Sequence, residues 1–375
     1  MAQPDFGQIL ADPLKLSRQW SQEGHRVIGC LDSYIPEEFI HAAGMIPVRL
    51  LGSTGNIVLA DSYLPVFAGK LARSILEQGL RGDLTHLAGI AISNSSDAVR
   101  MLYDLWGRHI PQQRAFLIDV PAILEGKTNH HVFRRAMLEF KSELEKTTGQ
   151  PVEPAALRQS IALFNKNRRL LKDLASLLSA SPPRLSAEIY LDALLAGFVL
   201  TKEKHNELLE QLLECSRHHA IQENKGELAS FHVSGPILMD RSFLPLLQQC
   251  GANMVSEDLG TGSRYFWDEV DEAEDPVEAV IERYWKKIPE SYKTPMEPRW
   301  RHLLNQIERS KARGVIFVIE KYSDEDQYDY PVWKDRLRSR GIPSLLLDSE
   351  LVLESEQVRT RTQTFVDIVN GGAFS

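Results

Sequence analysis

The chain has 375 residues, of which 43% are hydrophobic and 25% charged, so it can bury a core in two or three domains. Its formal charge of -8 excludes the strongly basic surface that is typical of nucleic-acid-binding proteins, and its apolar runs are too short to cross a membrane. Three widely spaced cysteines provide neither a disulfide framework nor a local metal motif, and we expect a cytoplasmic protein.

Short apolar segments alternate with helical patterns in the first third of the chain. The strand candidates are RVIGCL, IPVRLL, LAGIAI and RAFLIDV, beginning at residues 26, 46, 87 and 114. Helix candidates lie between them, among them PEEFIHAAG and LPVFAGKLARSILEQGL, beginning at residues 36 and 64. Strands that are apolar almost throughout are typical of a parallel sheet covered on both faces. This region is therefore predicted to be a βα-repeating domain.

Long helical patterns replace the alternation from about residue 129 to residue 223, and the alternation then returns. The later strand candidates are ELASFHVSG, ANMVSEDLG, GVIFVIEK and PSLLLDSE, beginning at residues 227, 252, 314 and 343. The fold class is predicted to be α/β, with two Rossmann-like (flavodoxin-like) parallel-sheet domains, a helical insert and a cleft between the domains. The predicted units are residues 1–128, 129–223 and 224–375, and the last unit includes a final helix.

Two strand candidates lead into Ser-Asp at a helix start. Ser96 and Asp97 follow LAGIAI, and Ser323 and Asp324 follow GVIFVIEK. One interpretation is helix capping alone, with a capping box between Ser323 and Asp326. The other is that hydroxyls and backbone amides at both helix starts line a shared pocket for an anionic or carbonyl group. The local sequence does not distinguish these two interpretations.

Other strand ends carry weaker signals. Ser234, in HVSGP, is a candidate ligand contact, although a plain strand-end turn also explains it. The segment LGTGSRYF has Gly260 and Gly262 but lacks the third glycine and the helix of a dinucleotide fingerprint, which favours a flexible loop. The sequence contains no nucleophile elbow, Walker loop or HExxH motif. These patterns therefore assign no catalytic residue.

Successive blocks of the sequence resemble one known family in the right order. They are YIPEEFIHAAGMIPVRLLG, ADSYLPVFAGKLARSIL, GDLTHLAGIAISNSSDAVRMLYDLW, CGANMVSEDLGTGSRYF, EAVIERYW, RGVIFVIEKYSDEDQYDYPVWKDRLRSRGIPSLLLDSE and RTRTQTFVDIV. The family is that of the 2-hydroxyacyl-CoA dehydratases and benzoyl-CoA reductases, and the resemblance runs from Arg26 to the end of the chain. It implies two Rossmann-like domains with a helical part and an acyl-CoA thioester as ligand.

The resemblance also implies three cysteines that bind a 4Fe-4S cluster beside the substrate. The matching positions in this sequence are Gly69, Ser96 and Ser323, and none of them is cysteine. Because such a cluster needs thiolate ligands, we expect this chain to bind no cofactor of its own. The family pattern then places the 4Fe-4S cluster in a paralogous partner subunit, in a heterodimer or larger assembly, with an ATP-dependent activator as the electron donor.

Three functions remain open at this point. The first is a subunit of a 2-hydroxyacyl-CoA dehydratase or benzoyl-CoA reductase type of complex, which binds an acyl-CoA thioester. The second is a non-redox acyl-CoA lyase or hydratase that uses the same cleft, and its candidate bases are Glu37, Glu38, Asp97 and Asp324. The third is a non-catalytic binding or assembly protein. The candidate substrate-binding residues are Gly69, Ser96, Asp97, Ser234, Ser323 and Asp324, and no metal ligand is predicted.

Overall fold

Two parallel sheets form the frame of the protein in the computed structural model, which describes residues 3–53, 55–217, 228–349 and 356–371. The first sheet contains β1 (Val27–Cys30), β2 (Ile46–Arg49), β3 (Gly89–Ser93) and β4 (Arg114–Ile118). The second contains β5 (Ala229–Gly235), β6 (Ala252–Leu259), β7 (Gly314–Glu320) and β8 (Ser344–Ser349). Their strand orders are β2-β1-β3-β4 and β6-β5-β7-β8, and every pairing is parallel. The predicted α/β class with two Rossmann-like sheets is confirmed.

Helices connect the strands and cover the sheets. Those before the long helical region are α1 (Phe6–Leu10), α2 (Lys15–Gln22), α3 (Glu37–Ala42), α4 (Lys70–Arg81) and α5 (Asp97–His109). The long helical region contains α6 (Lys127–Thr148), α7 (Pro154–Leu178), α8 (Ala187–Ala196) and α9 (Lys202–Arg217). The remaining helices are α10 (Phe243–Gln249), α11 (Ser263–Phe266), α12 (Pro276–Lys286), α13 (Glu297–Ser310), α14 (Asp324–Arg338) and α15 (Glu356–Asn370). None of these helices is both long and apolar enough to span a membrane.

Each sheet is buried on both faces, as its apolar strands predict. On the first sheet, one face packs against α3, α6 and α12, and the other face packs against α4 and α5. The second sheet has one face against α8, α10 and α15 and the other against α13 and α14. Since neither face meets water, the strands need no polar alternation.

The helical region does not build a core of its own. Helix α7 supplies Leu157 and Ile161 to the core of the first sheet and Leu171 and Leu174 to that of the second. The helix therefore ties the two sheets together through apolar contacts at both of its ends. The predicted domain boundaries stay predictions, and the one at residue 223 falls in residues 218–227, outside the described residues.

The structure corrects two local predictions and shows where the final helix packs. The predicted helix beginning at residue 64 is interrupted at Gly69, whose φ of 77° is incompatible with a continuous helix, and α4 begins only at Lys70. The segment predicted as a flexible loop contains the buried helix α11, because the backbone amide of Ser263 donates to buried Glu257. The final helix packs on the second sheet, where Phe365 contacts Phe231 with ring centroids 5.3 Å apart.

Candidate functional site

The carboxyl ends of the strands of both sheets face a common cleft with a volume of about 400 Å³. In open parallel sheets, this edge is where ligands bind, at the point where the strand order reverses. Here the reversals lie between β1 and β3 and between β5 and β7. The cleft is lined by the segments that follow these strands and by neighbouring loops and helix starts, namely residues 31–33, 49–51, 67–69, 71–72, 95–99, 101, 236–237, 260–261, 290–292 and 320–326.

Five of the six residues predicted to bind substrate line this cleft. They are Gly69, Ser96, Asp97, Ser323 and Asp324. The sixth, Ser234, lies outside it in a smaller cavity, where its hydroxyl donates a hydrogen bond to the buried carboxylate of Asp258. The fold therefore brings both Ser-Asp segments to one site, because each follows a strand next to the reversal point of its sheet.

The two serines behave differently as helix caps. The Ser96 hydroxyl accepts a hydrogen bond from the Val99 amide at 3.4 Å and also lines the cleft, so capping and site lining occur together. The Ser323 hydroxyl makes no cap bond to the backbone and donates instead to Asp326 Oδ2 at 2.6 Å. The predicted capping box is wrong. The Asp326 carboxyl accepts a hydrogen bond from the Ser323 hydroxyl, whereas the Ser323 backbone amide donates to the Glu320 carbonyl oxygen.

Gly69, the third position that the family resemblance singles out, lies next to the carboxylate of Glu320. Oε1 of Glu320 accepts a hydrogen bond from the Lys70 amide at 2.6 Å, at the first turn of α4. A Cβ built on Gly69 would lie 3.5 Å from this same oxygen. A side chain at position 69 would thus contact Glu320, and its backbone would be strained by the positive φ.

Three carboxyl groups on the second-sheet side of the cleft have raised pKa values. Burial raises the pKa of Glu320, and the amides of Lys70 and Leu71 oppose this only in part. Burial also raises the pKa of Glu325 and that of Asp326. These carboxyls lie close to one another, and the negative charge of Asp326 adds to the shift of the other two. This wall of the cleft therefore holds protons more tightly than solvated carboxylates do.

Another carboxyl group of the cleft, that of Glu290, has a lowered pKa instead. Glu290 Oε1 accepts a hydrogen bond from the Ser33 hydroxyl at 2.7 Å, and Lys287 Nζ lies 3.4 Å away. Burial alone would raise the pKa of Glu290, but the charges of Lys287 and Arg264 outweigh it and hold the pKa at about 2. Sequence patterns gave no signal for Glu290, which lies in the loop between α12 and α13 and joins a residue 257 positions away.

Two of the candidate bases lie away from the cleft, in buried ion pairs. Arg168 donates to Glu38, and the Tyr284 hydroxyl donates to Glu38 Oε2 at 2.9 Å. Glu37 accepts from the Tyr265 hydroxyl at 2.8 Å and has Lys202 Nζ at 3.5 Å. These contacts join α3 to α7, α9, α11 and α12, so the geometry favours a structural role for both glutamates.

The donors around the cleft do not fit a 4Fe-4S cluster. The three positions to which the resemblance assigns cluster thiolates carry two hydroxyls and a glycine. Cys30 is fully buried in the core of the first sheet, and burial raises the pKa of its thiol well above the ordinary value. Cys250, at the end of α10, is buried beside α15 in the core of the second sheet. Among the described residues, no group of three or more His, Cys, Asp or Glu side chains is arranged to hold a metal ion.

Comparisons with known proteins match nearly the whole chain. The family model described as 2-hydroxyglutaryl-CoA dehydratase, D-component, matches residues 32–369. The (R)-phenyllactyl-CoA dehydratase beta subunit of Clostridium sporogenes is 25% identical over 363 residues, which cover 96% of each chain. A benzoyl-CoA reductase subunit of Thauera aromatica is 25% identical and 94% of each chain is covered, and the beta subunit of lactoyl-CoA dehydratase from Anaerotignum propionicum is 26% identical with 96% covered.

Proposed function

The chain belongs to the 2-hydroxyglutaryl-CoA dehydratase D-component family, and from this premise we propose that it is a subunit of a 2-hydroxyacyl-CoA dehydratase or benzoyl-CoA reductase type of complex. In this proposal the cleft between the two sheets binds an acyl-CoA thioester. Several relatives are named as subunits of enzymes that act on acyl-CoA compounds. The observation that carries the proposal is the convergence of Gly69, Ser96 and Ser323 on one ligand-sized cleft.

The size and lining of the cleft support a small-molecule ligand. Its volume of about 400 Å³ lies in the range of roughly 300–1,000 Å³ that is usual for ligand pockets. Apolar side chains such as Leu71 and Met101 line it together with hydroxyls and carboxyls. A purely structural assembly protein would have its cleft either filled by side chains or widely open. The alternative of a pure assembly protein without a ligand is therefore the weaker one.

The charges of the cleft indicate which part of an acyl-CoA would enter. Two cationic side chains, Arg49 and Lys321, line it together with seven carboxyl groups, those of Asp32, Asp97, Glu290, Glu320, Asp324, Glu325 and Asp326. Phosphate groups would be repelled by this excess of negative charge. The acyl group and the uncharged pantetheine arm would therefore occupy the cleft, and the nucleotide part would remain at its mouth.

The cleft of this chain offers no thiolate ligands for an iron-sulfur cluster at the three family positions. Since the three positions offer no thiolate and Glu320 contacts position 69, the cluster of the complex would reside in a paralogous partner subunit. An ATP-dependent activator would deliver electrons to that partner. The role of this chain would be to bind the thioester and to complete the assembly around it.

Exposed apolar side chains at the mouth of the cleft support a partner chain. Val66 and Phe67, between β2 and α4, are 54% and 65% exposed, and Tyr322, across the cleft, is 48% exposed. Phe67 and Tyr322 both line the cleft. Clustered exposed apolar groups of this kind are typical of interaction sites. A second subunit that covers this rim would also shield a bound acyl group from water.

The direct test of the binding proposal is a matched pair of variants. Ala98→Trp places an indole in the cleft at the second residue of α5, and Ala155→Trp places one on the exposed side of α7, also at the second residue. Isothermal titration with butyryl-CoA should show binding by the wild type and by Ala155→Trp, and at least a tenfold weaker affinity, about 1.4 kcal/mol, for Ala98→Trp. Equal affinity in all three proteins would refute the cleft as the binding site.

The partner and cofactor parts of the proposal have a separate test. Affinity purification of the tagged chain from its native source should recover a paralogue that carries all three family cysteines. Anaerobic reconstitution of the isolated chain with iron and sulfide should give no iron-sulfur absorbance. A stoichiometric cluster on this chain alone would refute the ligand argument, and recovery of only a homodimer would refute the paired-subunit proposal.

A further inference from the structure

The carboxylate of Glu320 stands at the site where the family pattern would place a thiolate. Glu320 is the last residue of β7, and its Oε1 is fixed by the Lys70 amide at 2.6 Å. Oε1 and Oε2 lie 3.5 and 3.8 Å from a Cβ built on Gly69, and the side chain lines the cleft. An oxygen acid therefore faces the cleft at this position, held by the start of the 12-residue helix α4.

Unsatisfied polar groups elsewhere in the lining point to a ligand. The Thr261 side chain follows β6 and is only 5% exposed, and its hydroxyl has no hydrogen-bond partner within the protein. Nη1 of Arg49, at the end of β2, is likewise buried without a partner. Both residues line the same cleft as Glu320. Because buried polar groups are nearly always hydrogen-bonded, an acceptor oxygen on a bound molecule would satisfy both of these donors.

We propose that Glu320 is a proton-transfer group that acts on the carbon next to the thioester carbonyl, while Arg49 and Thr261 bind the carbonyl oxygen. This inference rests on the proposed function, since it takes an acyl-CoA thioester as the ligand. It assigns to the cleft a proton-transfer reaction that needs no iron-sulfur cluster.

The step balances without an oxidant or a reductant. The Glu320 carboxylate removes the proton, the C–H electron pair forms the carbon–carbon double bond of an enolate, and the carbonyl π pair moves to the oxygen. Arg49 and Thr261 then donate to that oxygen as its negative charge develops. Return of the proton from the neutral Glu320 acid to carbon restores the thioester. In heavy water the acid exchanges its proton for a deuteron, so the product carries deuterium.

The environment of Glu320 suits this task. Burial moves the pKa of Glu320 upward from its ordinary value, towards neutral pH, where a general base is most effective. Glu77 provides the contrast within the same protein. Its carboxylate also accepts backbone amides, those of Ala60 at 2.8 Å and Val58 at 3.1 Å, but these bonds and Arg81 outweigh burial and lower its pKa. Glu77 does not line the cleft, so Glu77→Gln is a matched structural control.

Proton exchange and ligand binding separate this inference from the proposed function. The full-length protein, with any subunit that co-purifies, is incubated with butyryl-CoA in heavy water, and deuterium at the carbon next to the carbonyl is followed by proton NMR. Wild type and Glu77→Gln should exchange this proton, whereas Glu320→Gln should exchange it at least ~100-fold more slowly. Titration calorimetry should give Glu320→Gln a Kd within about threefold of the wild-type value.

Two further measurements test the inference if Glu320→Gln folds poorly. The exchange rate of the wild type should rise with pH along a single titration curve whose midpoint lies above 4.5, the ordinary pKa of a glutamate. Thr261→Val should slow exchange while leaving that midpoint in place. Binding of butyryl-CoA without exchange by the wild type, or unchanged exchange in Glu320→Gln, would overturn the inference and leave the proposed function standing. Absence of binding by the wild type would overturn both.

Discussion

Replacing Glu38 by glutamine should cause a large loss of stability, because this glutamate is one half of a buried ion pair. Glu38 is fully buried, and Arg168, its partner on α7, is 4% exposed. Glutamine keeps the shape of the side chain but leaves the guanidinium charge without a counter-ion. Breaking a buried pair from one side lowers the free energy of unfolding by roughly 3–5 kcal/mol. This is a large part of the roughly 5–15 kcal/mol that stabilises a typical protein.

Urea unfolding followed by tryptophan fluorescence measures this loss. The double variant Glu38→Gln with Arg168→Met removes both charges and should recover much of the stability, whereas each single variant should not. Glu278→Gln is the matched control, because Glu278 pairs with Arg134 on the surface, where solvent screens the charges, and a smaller loss is expected.

The pH dependence of stability provides a second measurement of the same pair. Burial raises the pKa of Glu38, but Arg168 and Arg283 outweigh it, so the folded protein has the lower pKa. The stabilisation by Glu38 is therefore present above the ordinary pKa of 4.5 and is lost as the pH falls through the folded value. The difference in the free energy of unfolding between wild type and Glu38→Gln should therefore become smaller at acidic pH. A loss below about 1 kcal/mol at pH 7 would refute the buried-pair reasoning, and weakened butyryl-CoA binding at unchanged stability would show that Glu38 acts in the site.

Three further predictions follow from the walls of the cleft. Ser96→Ala and Ser186→Ala each remove an N-cap and should each lower the free energy of unfolding by about 1 kcal/mol in urea titrations; only Ser96→Ala should also alter the Kd for butyryl-CoA, and equal affinities would leave Ser96 as a cap alone. Gly69→Ala should destabilise by roughly 1–3 kcal/mol because of its positive φ, whereas Gly107→Ala, in the last turn of α5 with open space around it, should not destabilise. The raised pKa of Glu320 means that the folded protein holds this proton more tightly than the unfolded chain does, so the wild type loses stability as the pH rises from 4.5 through the folded pKa. The Tm of Glu320→Gln minus that of the wild type should therefore increase over this pH range. A decrease in this Tm difference would contradict the raised pKa.

The sequence by itself determined the two sheets and the place of the candidate site. Apolar runs such as LAGIAI and GVIFVIEK fix buried parallel strands, and parallel strands end at one edge of their sheet. Ser96 and Ser323 follow such strands, so their position at the ligand-binding edge follows from chain order alone. Asp32 follows β1 in the same way, and the same rule applied to every strand would have identified it.

Only the tertiary structure decided which chemical groups face the cleft. The contact between Lys70 and Glu320 joins positions 250 apart, and Ser33 meets Glu290 across 257 positions. Glu38, a candidate base by its place in the sequence, is instead neutralised by Arg168 from a helix 130 residues away. Strand and helix patterns depend on neighbours a few residues apart, but the pKa and the hydrogen-bond partners of a buried side chain depend on whichever distant segment packs against it.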